Sequence, residues 1–178
     1  MIGPVSQTLH AITVLGHDRP GIIAETTERL AGLGLNLEDS TMTLLRGHFA
    51  MMLVGSGTAS DTEIAAALEP LTTDGTLSVT VREVPVEDAP AAAGTPWVLT
   101  VHGGDRAGIV SAVVAEVARV GGNITDLTTR LAGDLYLLIA EIDLPLDVDQ
   151  AGLDVAIREV AGGLGVGASL RPVETDEL

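Results

Sequence analysis

The chain has 178 residues, with nine basic and 25 acidic side chains and a formal net charge of −16. That length holds one ordinary domain or two small ones, and a 46% share of apolar residues supplies a packed core, which excludes a disordered chain. So acidic a chain lacks the clustered basic footprint that displaces counterions from phosphates, which argues against direct nucleic-acid binding and against adsorption on an anionic membrane.

Two absences remove further chemistry. There is no cysteine, so disulfides, thiolate catalysis and cysteine-ligated metal centres are excluded. All nine basic residues are Arg, so Schiff-base catalysis, covalent pyridoxal phosphate and a Walker-type lysine go as well. With one Trp, one Tyr and one Phe, no aromatic cage or base-stacking platform can be built. No apolar run reaches the ~18 residues of a membrane span. Met1-Ile2-Gly3-Pro4 lacks the basic and apolar regions of a secretory signal, so a cytoplasmic location is expected.

Taken in chain order, Leu9 to Leu15 is a short apolar run with Thr and Val, which predicts a buried strand. Ile22, Thr26, Leu30 and Leu33 then recur on one face of a helix. Pro20 suits the first helical turn, and Gly32 and Gly34 supply its stop. Leu37 to Leu45 and Phe49 to Val54, broken at Arg46-Gly47-His48, predict a hairpin. Ser60, three residues before Glu63, forms a capping box for a second helix that carries Ile64, Ala67, Leu68 and Leu71. Thr76 to Val81 is the last strand of this set.

Pro85 to Pro96 follows, with three prolines, small residues and no apolar period, and reads as a linker. The whole order then repeats. Asp18-Arg19, Gly21-Ile22, Gly34, Asn36, Asp39, Thr41 and Leu44 return as Asp105-Arg106, Gly108-Ile109, Gly121, Asn123, Asp126, Thr128 and Leu131, each 87 residues later. Trp97 to His102, the helix face of Ile109, Val113, Val117 and Val120, the hairpin Ile124 to Ile142, the helix of Leu153, Ala156, Ile157 and Val160, and the strand Val166 to Leu170 complete the second copy.

Residues 1–84 and 97–174 are therefore two units, joined by a linker at 85–96 and followed by an acidic tail at 175–178. The order βαββαβ closes as a ferredoxin-like sandwich, so the predicted fold class is α+β: twice an antiparallel sheet with two helices on one face. The strands Ala50-Met51-Met52-Leu53-Val54 and Leu135-Tyr136-Leu137-Leu138-Ile139 are apolar on both faces. That predicts pairing through the open sheet face or its edge, with another unit, another chain or both.

The best-matched stretch is the turn from the first strand into the first helix. A helix N-terminus offers backbone N–H groups and the positive end of the dipole to a carboxylate, and Gly21 and Gly108 permit close approach. Asp18 or Asp105 can answer an ammonium group, and Asn36 or Asn123, just past the same helix, can hydrogen-bond beside it. An α-amino acid carries both charges. The same residues also have a plain reading: Asp as a helix cap, Asn as a turn former, Arg19 and Arg106 as solvated or acid-paired. The four histidines have no metal-ligand spacing, although the repeat leaves open an approach of His17 to His102, and no metal site is expected. Gly162 to Gly167 precedes a strand, so the dinucleotide fingerprint fails. No nucleophile elbow or zinc-protease helix occurs; neither enzyme chemistry nor a cofactor is expected.

At these residues the chain resembles a known family. Gly16-His17-Asp18-Arg19-Pro20-Gly21-Ile22-Ile23, followed by Gly34-Leu35-Asn36-Leu37, resembles the ACT domain, a small regulatory module that binds amino acids. Two such domains without a catalytic domain resemble the glycine cleavage system transcriptional repressor group, over Leu9 to Glu174. The resemblance implies ligand sites at interfaces between paired ACT domains. In the first copy it assigns His17, Asp18, Arg19, Pro20, Gly21 and Ile22, with Leu35, Asn36 and Leu37. In the second it assigns Gly104, Asp105, Arg106, Gly108 and Ile109, with Gly122, Asn123 and Ile124. Gly104 and Ala107 depart from His17 and Pro20, so the two sites are expected to differ in affinity.

The function so implied is a non-catalytic regulator; an even-numbered assembly built on a homodimer is expected from the prevalence of symmetric pairs among oligomers. It binds a small amino acid, glycine or serine, and acts through a protein partner (a transcription factor or a metabolic enzyme) in control of glycine and one-carbon metabolism. The alternative is a detached regulatory subunit of an amino-acid enzyme, since tandem ACT units also resemble parts of phosphoserine phosphatases and aspartate kinases.

Overall fold

A computed structural model describes residues 7–85 and 94–173. The chain divides into two compact units. The first holds β1 (Thr8–His17), α1 (Ile22–Gly32), β2 (Asn36–Leu45), β3 (His48–Gly57), α2 (Asp61–Leu68), a 3-10 turn at Glu69–Thr72 and β4 (Leu77–Val84). The second holds β5 (Thr95–Gly104), α3 (Ile109–Arg119), β6 (Asn123–Ala132), β7 (Leu135–Leu144), α4 (Gln150–Gly163) and β8 (Val166–Pro172). Each unit is one four-stranded antiparallel sheet, ordered β2-β3-β1-β4 and β6-β7-β5-β8. These are the two ferredoxin-like βαββαβ units that the periodicities predict.

The 87-residue offset holds from β1 to the end of β3, where every boundary is matched in β5 to β7. It becomes 89 from α2 onward, because the connection Pro145–Asp149 is two residues longer than Thr58–Ser60. Both connections end on a cap. Ser60 and Glu63 form the predicted capping box, while the Asp149 side chain accepts from the Gly152 N–H at 3.0 Å.

The predicted helix faces are the buried ones. Ile22, Thr26 and Leu30 pack under α1, and Ile109, Val113 and Val117 under α3. They meet Ile12, Val14, Phe49 and Leu53 in the first core, and Leu99, Val101, Leu138 and Ile142 in the second. His10, 1% exposed, is tied through Nδ1 to Asp61 Oδ1 at 2.7 Å, which fixes the start of α2 against β1.

Two boundaries differ from expectation. Pro20 lies ahead of α1 rather than in its first turn, because Gly21 is the N-cap, in the left-handed region at φ 92°. Thr95 and Pro96, read as the end of the linker, already belong to β5 and pair with Leu144 and Asp143; residues 86–93 of that linker lie outside the described residues, as does the tail from 174. In the first hairpin Arg46 and Gly47 both have positive φ, 50° and 84°, the pattern of a type I′ turn. None of the helices among the described residues is long and apolar enough to cross a membrane.

Candidate functional site

The candidate site is built by two glycines that do different things. Gly16 closes β1 where the carbonyl of Thr76 crosses it; a Cβ there would lie 2.0 Å from that oxygen. His17 N–H donates to the same Thr76 oxygen at 3.0 Å, and Asp18 N–H to the Gly47 carbonyl at 3.1 Å. The chain is thus pinned on both sides as it leaves the sheet. Gly21 then turns it into α1, with nothing within 4 Å of where a Cβ would stand. Gly108, at φ 92°, does the same for α3, where the nearest atom is Ser111 Oγ at 3.9 Å.

Neither helix is capped by a side chain at these glycines. Asp18 and Asp105 are therefore not caps: both are exposed beside helix ends whose N–H groups stay available. α2 and α4, by contrast, have side-chain caps at Ser60 and Asp149.

The two turns differ in charge. In the first unit Arg19 Nη2 donates to Glu25 Oε2 at 3.0 Å, and Arg29 Nη2 donates to Glu25 Oε1 at 3.0 Å. The hydrogen bond from Arg19, then that from Arg29, holds the Glu25 carboxyl below its ordinary 4.5. The hydroxyl and N–H of Thr76 likewise lower Asp74, with Arg19 adding to the effect. In the second unit Ala112 stands where Glu25 would be, and Arg106 has no ion-pair partner among the described residues. The Arg19 guanidinium is thus paired with a carboxylate, whereas that of Arg106 is not.

A depressed carboxyl stabilises the fold above its unfolded pKa, and the gain is lost as pH falls through the lower folded value. Glu25→Gln should therefore flatten the loss of stability of the first unit below about pH 4.5, and slightly lower its stability at neutral pH. Denaturant midpoints measured from about pH 6 to about pH 3 check this; a curve parallel to that of the parent chain would remove Glu25 from the acid response.

A cleft of about 400 Å³ opens at the second turn. Asp105, Arg106, Gly108 and Ile109 line it, as the sequence suggested, and so do Val110, Ser111, Val114 and Tyr136, which sequence reasoning missed. Ser111 was legible as the third helical residue, from which its hydroxyl returns to the Gly108 carbonyl at 3.0 Å. Tyr136 was not, because it arrives from β7, opposite the side-chain-free Gly103.

The remaining candidates divide. Pro20 and Gly104 are exposed at the turns. Ile22 and Ile109, each 1% exposed, are core side chains, so only their backbone is on offer to a ligand. Leu35, 7% exposed, is core too and lies against Gly57. Gly122 is small because a Cβ would strike Val117 and Leu144 at 2.7 and 2.9 Å, and Ile124 packs on the second core. Asn36, Leu37 and Asn123 are exposed.

Asn36 does not lie beside Asp18 in its own unit. Asn36 and Leu9 both pair with Ser56, whereas His17 and Leu45 both pair with His48. Eight residues of β3 separate those levels, about 27 Å at the rise of a strand. Asn123, paired with Asp143, is equally far from the level of Gly104, paired with Leu135. The expectation that helix and Asn converge locally is corrected by the register: α1 carries the chain back along the sheet before β2 begins.

The open face of the first sheet holds a shallow depression of about 370 Å³ bordered by Thr13, Leu15, Thr43, Ala50 and Met52. It has no titratable lining, so it suits apolar packing rather than a charged ligand.

Comparison with known proteins agrees with this geometry. A family model described as the ACT domain matches residues 9–82. The glycine cleavage system transcriptional repressor of Escherichia coli is 25% identical over 176 residues, covering 94% of this chain and 92% of that protein. A UPF0237 protein of Methanosarcina mazei is 34% identical over 79 residues, 44% of this chain and 85% of its own length; a streptococcal UPF0237 relative is spanned over 56% of its length. A solved structure from Galdieria sulphuraria, of a protein described as unknown, is 29% identical with a TM-score of 0.80, covering 95% of this chain and all of that one. With its two βαββαβ units and the turns they repeat, the chain belongs to the ACT-domain family.

Proposed function

We propose that this chain is a non-catalytic regulator that binds a small α-amino acid, glycine or serine, at its strand–helix turns and passes the signal to a protein partner. The observation that carries this reading is the pair of helix N-termini at Gly21 and Gly108. Both are left-handed, free of a side-chain cap and open above the backbone, with an exposed Asp one turn away for the ammonium group. Similarity to the E. coli repressor over most of the chain supports a role in transcriptional control of glycine and one-carbon metabolism, with a transcription factor or a metabolic enzyme as the partner. The charge of −16 suits action through protein rather than a grip on DNA.

The register adds a condition. One small ligand cannot touch Asp18 and Asn36 of the same unit, so another unit, of this chain or of a second copy, has to lend its Asn, and we include a homodimer in the proposal. Exposed Leu15, Met52, Leu135 and Ile139 support such pairing, because apolar sheet faces are costly to leave in water. Ligand binding then stabilises one pairing geometry over another, which is what a partner would sense.

Thermal unfolding of the full chain against the twenty amino acids tests the reading. The melting temperature should rise with glycine or serine as the concentration passes the dissociation constant. Asp18→Ala combined with Asp105→Ala should weaken that response at least ~10-fold without changing the unliganded midpoint, both side chains being exposed. An unchanged affinity would place the ligand elsewhere.

A further inference from the structure

The structure pairs two histidines that sequence spacing kept apart. His17 ends β1 and His48 begins β3, and the two are direct cross-strand partners. Their side chains therefore rise from the same sheet face with Cβ atoms about 5 Å apart. Their ring centroids are 5.2 Å apart, with the planes tilted by 34°. Both residues are exposed. Among the described residues the hydrogen-bonded histidine ring is that of His10, so the nitrogens of His17 and His48 are free.

We propose that His17 and His48 together hold a divalent transition-metal ion. Two imidazoles ligating one ion through nitrogen at about 2.1 Å, splayed by the tetrahedral angle, have centroids about 5 Å apart. The observed separation matches that requirement, and rotation of the exposed rings aims the nitrogens. The backbone below is already rigid: His17 N–H is held by Thr76, Asp18 N–H by Gly47, and the Arg46-Gly47 turn delivers His48 directly. Preorganisation of this kind is what a two-ligand site requires. Imidazole pairs suit zinc, copper and nickel rather than calcium or magnesium.

No cluster of three or more His, Asp or Glu side chains arranged for a metal occurs among the described residues. The protein supplies two ligands, and the other positions are open to water or to an amine or carboxylate. The second unit has Gly104 and Leu135 at the matching places, so one ion is bound per chain. This departs from the expectation of no metal site, which rested on sequence spacing: the partners lie 31 residues apart in the chain and meet only through the register.

Zn2+ alone, titrated calorimetrically into the full chain, tests the inference independently of amino-acid binding. One equivalent should bind, with imidazole NMR shifts at His17 and His48. His17→Gln and His48→Gln should each weaken binding at least ~10-fold, as expected for loss of one of two ligands, while His102→Gln leaves it unchanged. Absence of Zn2+ binding at millimolar concentration, an affinity within twofold of the parent in either variant, or binding that shifts carboxylate signals alone would each overturn it. Circular dichroism of both variants confirms folding, which exposed positions preserve.

Discussion

Replacing Gly16 with alanine is expected to cost about 3 kcal/mol or more, from a steric overlap that strand backbones cannot relieve cheaply together with a positive-φ penalty. The added Cβ would lie 2.0 Å from the Thr76 oxygen and 2.9 Å from the Leu77 Cα, all backbone atoms. Relief requires β4 to move away from β1, breaking the His17 N–H bond to Thr76 that holds the candidate site. Gly21→Ala is the control: its Cβ would meet nothing within 4 Å, so only the left-handed φ is penalised, by about 1–2 kcal/mol. Chemical denaturation monitored by circular dichroism separates the two. Equal costs would mean that the Thr76 crossing is not what demands glycine at position 16.

Leu138→Ala is the second large effect, expected to cost about 2–5 kcal/mol as a fully buried truncation that leaves a cavity. Leu138 is 0% exposed at the centre of β7, between Val101 and Thr129 on the neighbouring strands. A unit of about 80 residues has about 4–12 kcal/mol in total, so this loss removes much of the stability of the second unit. The first core shares no residue with the second and should keep its own transition. The single Trp, Trp97, lies in β5, so its fluorescence reports the second unit by itself. Leu138→Ala should move the fluorescence midpoint to lower denaturant and split the circular dichroism curve. Gly16→Ala should leave the fluorescence midpoint in place. A single transition that shifts in both variants would show the two units to unfold as one.

Much of the fold was legible because its signals are local. Ile22, Thr26 and Leu30 reveal a helix face within eleven residues, Ser60 and Glu63 reveal its neighbour's start, and the 87-residue offset says that whatever one half does the other repeats. The turn at Gly21 and Gly108 was found in the same way, although its reading as an Asp-capped helix was open until the structure showed both caps to be glycine. Arg19 and Arg106 looked equivalent in sequence; Glu25 against Ala112, six residues on, makes them electrostatically different.

The sequence by itself determined the two α+β units, their repeated order, the buried helix faces and the position of the two strand–helix turns, since each depends on residues within a few positions of one another. Only the tertiary structure decided what cross-strand register controls. It separated Asn36 from Asp18 by the length of a strand, brought Tyr136 to the second cleft, set Thr76 over Gly16 and placed His17 against His48. Register is fixed by the summed packing of a whole sheet against its helices, and a slip of one residue would send every side chain to the opposite face; no short stretch of the chain carries that information.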